Sequence, residues 1–81
     1  MSRYFFDIND GNLLRDEVGR DLEGGEIMRA EALQVAASLM QAEAGDAKET
    51  AFVLTVRNET GGECLRIRLV CQVEDFPAHS A

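Results

Sequence analysis

The chain has 81 residues and a net charge of −7, from 15 acidic against 8 basic side chains, with 46% hydrophobic and 28% charged residues. That length fits one domain, which buries only about 60–65% of the surface its unfolded chain exposes, so a deep substrate cleft within one subunit is hard to build. The acidic balance disfavours non-specific binding to nucleic acid or anionic lipid, and no apolar run nears the roughly 20 residues that span a bilayer.

Arg3 to Asn9 reads as a short strand, with Tyr4, Phe6 and Ile8 on one face and Phe5 and Asp7 on the other. Asp10-Gly11 follows as a hairpin signal, because glycine tolerates the positive φ such turns require. Asn12 to Asp16 is expected to return as a second strand, and Glu17 to Arg20 to form another turn. Asp21-Leu22-Glu23 reads either as a brief third strand or as the approach to a helix.

The helix is expected from about Gly25 to about Ala44, stopped by Gly45-Asp46, with Glu26 suited to the positive end of its dipole. Glu31, Gln34, Ser38 and Gln41 form one narrow polar stripe, and nearly every other position is apolar. Met28, Ala32, Val35 and Leu39 make one apolar row; Leu33, Ala36, Ala37, Met40 and Ala44 make another. A helix resting on one sheet needs only a single stripe somewhat wider than about 100°. Two readings explain the surplus. Many of the positions are alanine, a helix former more than a core residue, or a second flank packs on another subunit.

Thr50 to Asn58 alternates, with Phe52, Leu54 and Val56 opposed to Val53, Thr55 and Arg57. Glu59 to Gly62 is a turn. Cys64 to Glu74 then places Leu65, Ile67, Leu69, Cys71 and Val73 on one face, and Arg66, Arg68, Val70, Gln72 and Glu74 on the other. One buried face and one wet face follow from such alternation. Pro77 cannot continue a ladder, so residues 75–81 read as a loose tail beyond a single domain of residues 1–74. The expected fold is α+β, a two-layer sandwich of order β-β-α-β-β, with an antiparallel sheet of about four strands and one helix on one face.

The residues offer no catalytic set. The lone histidine, His79, lies beyond Pro77, and Ser2, Ser38 and Ser80 have no His–acid partners. Asp7 to Gly11 looks like the start of a calcium loop, but its glycine comes fifth rather than sixth and position twelve is Val18. Cys64 and Cys71 lie seven apart in one strand, on opposite faces, and so cannot pair with each other or make a zinc site. No metal, no cofactor and no enzymatic activity are expected. Asp7 comes too early for a secretory signal, so the expected location is cytoplasmic.

Arg57, Arg66 and Arg68 fall together on the face of the sheet away from the helix. They read either as an anion-contacting surface, with Phe5 as a stacking partner, or as cross-strand partners of Asp7, Gln72 or Glu74.

The set Arg3-Tyr4-Phe5-Phe6-Asp7, Asp10-Gly11, Asp16 to Leu22 and Ala30 to Leu33 resembles a family of short bacterial proteins that open with Arg-Tyr-Phe-Phe and an Asp-Gly hairpin, a domain of unknown function. That resemblance implies a bacterial protein and transfers no activity, cofactor or site residue. Glu31-Ala32-Leu33 and the acidic balance are also similar to the HicB-type antitoxin fold. The expectation is a small non-catalytic interaction module, a homodimer with room for a further protein partner. Its partner-binding residues are Met28, Val35 and Leu39 on the helix flank, or Arg57, Arg66 and Arg68 on the sheet. The alternative is an antitoxin-type or nucleic-acid-linked regulator; an enzyme with a site across a subunit interface ranks last.

Overall fold

The structure is a computed structural model that describes residues 1–45 and 48–77. The readings that rest on Asp46, His79 and Ser80 lie outside the described residues. Strand β1 covers Ser2–Asn9, β2 Leu13–Leu14, β3 Arg20–Leu22, β4 Glu49–Arg57 and β5 Glu63–Gln72, with helix α1 at Gly25–Glu43. The fold is α+β, an antiparallel sheet of five strands with one helix across one face. The expected β-β-α-β-β order thus gains one strand, because Arg20–Leu22 pairs with Ser2–Tyr4.

Strand β4 lies at the centre, between β1 and β5. Its register sets Phe6 against Val56, Ile8 against Leu54, Phe52 against Leu69 and Leu54 against Ile67. Period-2 alternation puts all of these side chains on the helix side. The core is Phe6, Met28, Ala32, Ala36, Leu54 and Val56, with Tyr4, Ile8, Leu22, Val35, Leu65, Ile67 and Leu69 packed around it.

Two of the three buried helix residues are alanines. Ala32 and Ala36 present no bulk, so the helix backbone rides close to the sheet and only Met28 inserts a long side chain. The apolar surplus of the helix is real. Ile27 and Leu33 remain 51% and 44% exposed, at helical angles that place them on different flanks.

Both hairpin turns are built by asparagine and aspartate side chains. At Asp10-Gly11, the Asn9 Oδ1 accepts from the Gly11 N–H and the Asp10 Oδ1 from the Asn12 N–H. At the β4–β5 turn, Asn58 Oδ1 accepts from the N–H groups of Thr60 and Gly62 and from the Thr60 hydroxyl. Gly61 takes φ +89° there, a conformation that favours glycine.

Candidate functional site

The outer edge of β1 is not one strand but two short pieces. Leu13 and Leu14 pair with its C-terminal end and Arg20–Leu22 with its N-terminal end. Between them the chain bulges out over residues 15–19. The expected second strand, Asn12 to Asp16, is therefore only two residues long.

Asp16 explains the break. Its Oδ2 accepts from the Phe6 N–H at 3.1 Å, taking the place of the missing strand partner. Its Oδ1 accepts from the N–H groups of Val18 and Gly19, both at 3.0 Å, and closes the turn. Its own N–H donates to Asp7 Oδ1 at 2.9 Å. Burial pushes the Asp16 carboxyl up, but the N–H groups of Gly19, Phe6 and Val18 and the charge of Arg20 outweigh it and hold it below its ordinary value.

Asp7 and Arg57 complete the staple. Arg57 Nε donates to Asp7 Oδ2 at 2.6 Å, and its Nη2 donates to the Asp16 carbonyl at 2.7 Å. Both side chains are nearly buried, at 14% exposure for Arg57 and 11% for Asp7. The same guanidinium lies over the Phe5 ring, 4.7 Å from its centroid. Gly19, at φ +75°, packs against that ring so closely that a Cβ would stand 2.9 Å from its edge and from Arg3 Cγ. Phe5 is thus half-buried, with one face under Arg57 and one edge against Gly19, and is not the free stacking platform that its place on the wet face suggests.

Beyond this staple, the open face of the sheet carries a shallow trough of about 490 Å³. Asp7, Arg57 and Thr55 lie along it, with Arg15, Arg66 and Arg68. Four of the eight basic residues thus line one surface of an acidic chain. Arg66 is held by Glu63 at 2.6 Å, an exposed pair rather than the expected cross-strand one with Gln72 or Glu74. Among the described residues, no ion pair involves Arg15 or Arg68.

The expected helix-flank residues are divided. Met28 is 7% exposed and belongs to the core, because the helix turns that row onto the sheet, so it cannot anchor a partner. Val35 is half-buried and lines a shallow groove with exposed Leu14 and Val18; Leu39 lines an adjoining one with Leu14 and Phe52. Cys64 is exposed and Cys71 half-buried, both as free thiols. Among the described residues, no three His, Cys, Asp or Glu side chains gather as a metal site, and no helix is long and apolar enough to cross a membrane.

The family model for a domain of unknown function, DUF6894, matches residues 3–70. The chain belongs to DUF6894. The DUF6894 match runs from β1 into β5 and so contains the whole Asp7–Asp16–Arg57 staple and the arginine trough. No curated protein and no solved structure matches the chain.

Alternation alone puts Arg57, Arg66 and Arg68 on one face, and adding the hairpin register of Leu13 against Asn9 puts Arg15 beside Asp7 on that face, but neither reveals the role of Asp16. A signal for that role is present in the sequence. Aspartate followed three residues later by glycine, Asp16 and Gly19, is the residue pattern of a type I turn.

Proposed function

We propose that the chain is a small, cytosolic, non-catalytic interaction module, homo-oligomeric, whose open sheet face contacts acidic segments of a protein partner. The observation that carries this reading is the arginine trough. Guanidinium groups take carboxylates through paired N–H donors, and Arg15 and Arg68 have no acid of their own among the described residues. Of the two carboxylates that line the trough, Asp7 is committed to Arg57 and to the Asp16 backbone and Glu63 to Arg66, which supports a binding role over an acid–base one.

A nucleic-acid-linked regulator of antitoxin type is the second reading, since guanidinium groups bind phosphate as well. Arg57 already occupies a face of Phe5, which leaves less of the ring for stacking, and the net charge of −7 opposes approach of a polyanion. Fluorescence anisotropy with a labelled oligoglutamate peptide and a labelled oligouridylate of equal charge separates the two. The expected result is saturable peptide binding at low salt that Arg15→Ser with Arg68→Ser weakens by about tenfold or more. Tighter binding of the RNA, with a steep salt dependence lost in the same variant, would transfer the assignment to the second reading.

A further inference from the structure

We infer that two copies of the chain join through the free edge of β5, in antiparallel register about Val70, to make one continuous sheet. This rests on the homo-oligomeric part of the function proposed above and gives it a surface.

Strand β5 is ten residues long and pairs only with β4. Its direction of pairing can be read from one bond. The Val73 N–H donates to the Lys48 carbonyl at 2.7 Å, so the odd-numbered residues of β5 turn their backbone groups toward β4. The even-numbered residues from Arg66 to Gln72 therefore turn theirs outward, up to the register shift at Cys64. Residues Glu63–Gln72 include no proline, and from Cys64 onward their side chains alternate. A long, unpaired edge of this kind is a template for another strand.

Charge together with the exposed Val70 favours a second copy as the occupant. A two-fold axis perpendicular to the sheet keeps both helices on one side and sets even residues opposite even residues. Centring the axis on Arg68 would place Arg68 against its own copy, which like charges forbid. Centring it on Val70 sets the two copies of that valine against each other, and each Arg68 against a Gln72 and each Arg66 against a Glu74 across the axis. Two ion pairs and one apolar contact result. An axis on Cys71 also yields two ion pairs, Arg68 with Glu74, but leaves Val70 against Gln72. Val70 is 67% exposed in the single chain and gains cover from this register. Arg66 gives up only its exposed pair with Glu63, a bond of little net worth.

The test is solution mass by light scattering on the full chain and its variants, with circular dichroism as the check on folding. The wild type is expected to give twice 8.9 kDa at micromolar concentration. Val70→Pro leaves the β4–β5 ladder intact, since only an outward N–H is lost, and is expected to be a folded monomer. Arg66→Glu and Glu74→Arg should each weaken the dimer by about tenfold or more, and mixing the two should restore it as a heterodimer. A dimer that survives Val70→Pro and both charge reversals, but is split by Leu39→Asp, overturns the edge assignment while leaving homo-oligomerisation standing on the helix flank. A mass of 8.9 kDa at every concentration overturns both, and leaves peptide binding by the trough as a separate result.

Discussion

The two edges of this sheet solve the same problem in opposite ways. A sheet edge carries unpaired N–H and C=O groups that invite another strand. On the β1 side that invitation is withdrawn. The outer strand is cut into pieces of two and three residues, and Asp16 fills the gap with a carboxylate that accepts the Phe6 N–H. Charged contacts then fasten the pieces: Arg3 to Asp21 at 3.1 Å and to the Val18 carbonyl, and Arg20 to Glu31 of the helix at 3.4 Å, over the Phe6 ring. The β5 edge has a register shift at its start, between Glu63 and Leu65, and no such device from Leu65 to Gln72. The closed edge is fastened by its own side chains, whereas the open edge leaves its backbone groups unpaired in the single chain.

Breaking the closed edge should have the largest effect. Arg57→Met leaves the nearly buried Asp7 without its counter-charge, and a loss of about 3–5 kcal/mol is expected in chemical denaturation. Adding Asp7→Asn should recover part of it, since no bare charge then remains. Gly19→Ala comes next. Its φ of +75° costs about 1–2 kcal/mol for any residue with a Cβ, and the 2.9 Å approach to Phe5 and Arg3 adds overpacking of about 1–3 kcal/mol. A thermal melt that moves by less than a few degrees would show that the turn can shift aside.

Asp16→Asn sharpens the comparison by pH. The folded carboxyl titrates below its unfolded value of about 3.9, so its stabilisation is fully present above that pH. It is lost as pH falls from there through the folded value. Removing the charge should cost about 1.5–3 kcal/mol at pH 7 and flatten the decline of stability below about pH 4. An unchanged acid limb would mean that the carboxylate is not what bridges the gap.

Much of this is legible in the sequence, and the parts that are not share a cause. Alternation over Thr50 to Asn58 and Cys64 to Glu74 gives both strands and their buried faces, because period-2 patterning depends only on which side meets water. The same count puts Arg57, Arg66 and Arg68 on one face. What the pattern cannot carry is a side chain acting as backbone. Leu13 to Asp16 reads as a continuing strand until Asp16 is seen to bond Phe6, whereas Arg15, two residues beyond Leu13 and next in register opposite Asp7, stays on the trough side. Met28 departs from its expected place on a binding flank for a related reason. The phase of the helix on the sheet is set by the close approach at Ala32 and Ala36, whose small size reads in sequence as helix propensity rather than as contact.

The smallest expected effect belongs to the open edge in the single chain. Arg66→Gln removes an exposed pair with Glu63, in which the two side chains retain 45% and 61% of their surface in water. Solvent screening leaves such a pair well under about 1 kcal/mol, so adding Arg66→Gln to the monomeric Val70→Pro background should shift urea denaturation by no more than that. If two copies join about Val70 as proposed, the same substitution in the wild-type background removes both Arg66–Glu74 pairs and should lower dimer affinity while leaving monomer stability within the same bound. A stability loss in the monomer above about 1 kcal/mol would mean that the β5 edge, like its opposite, is held by its own side chains, and the contrast between the two edges would fall.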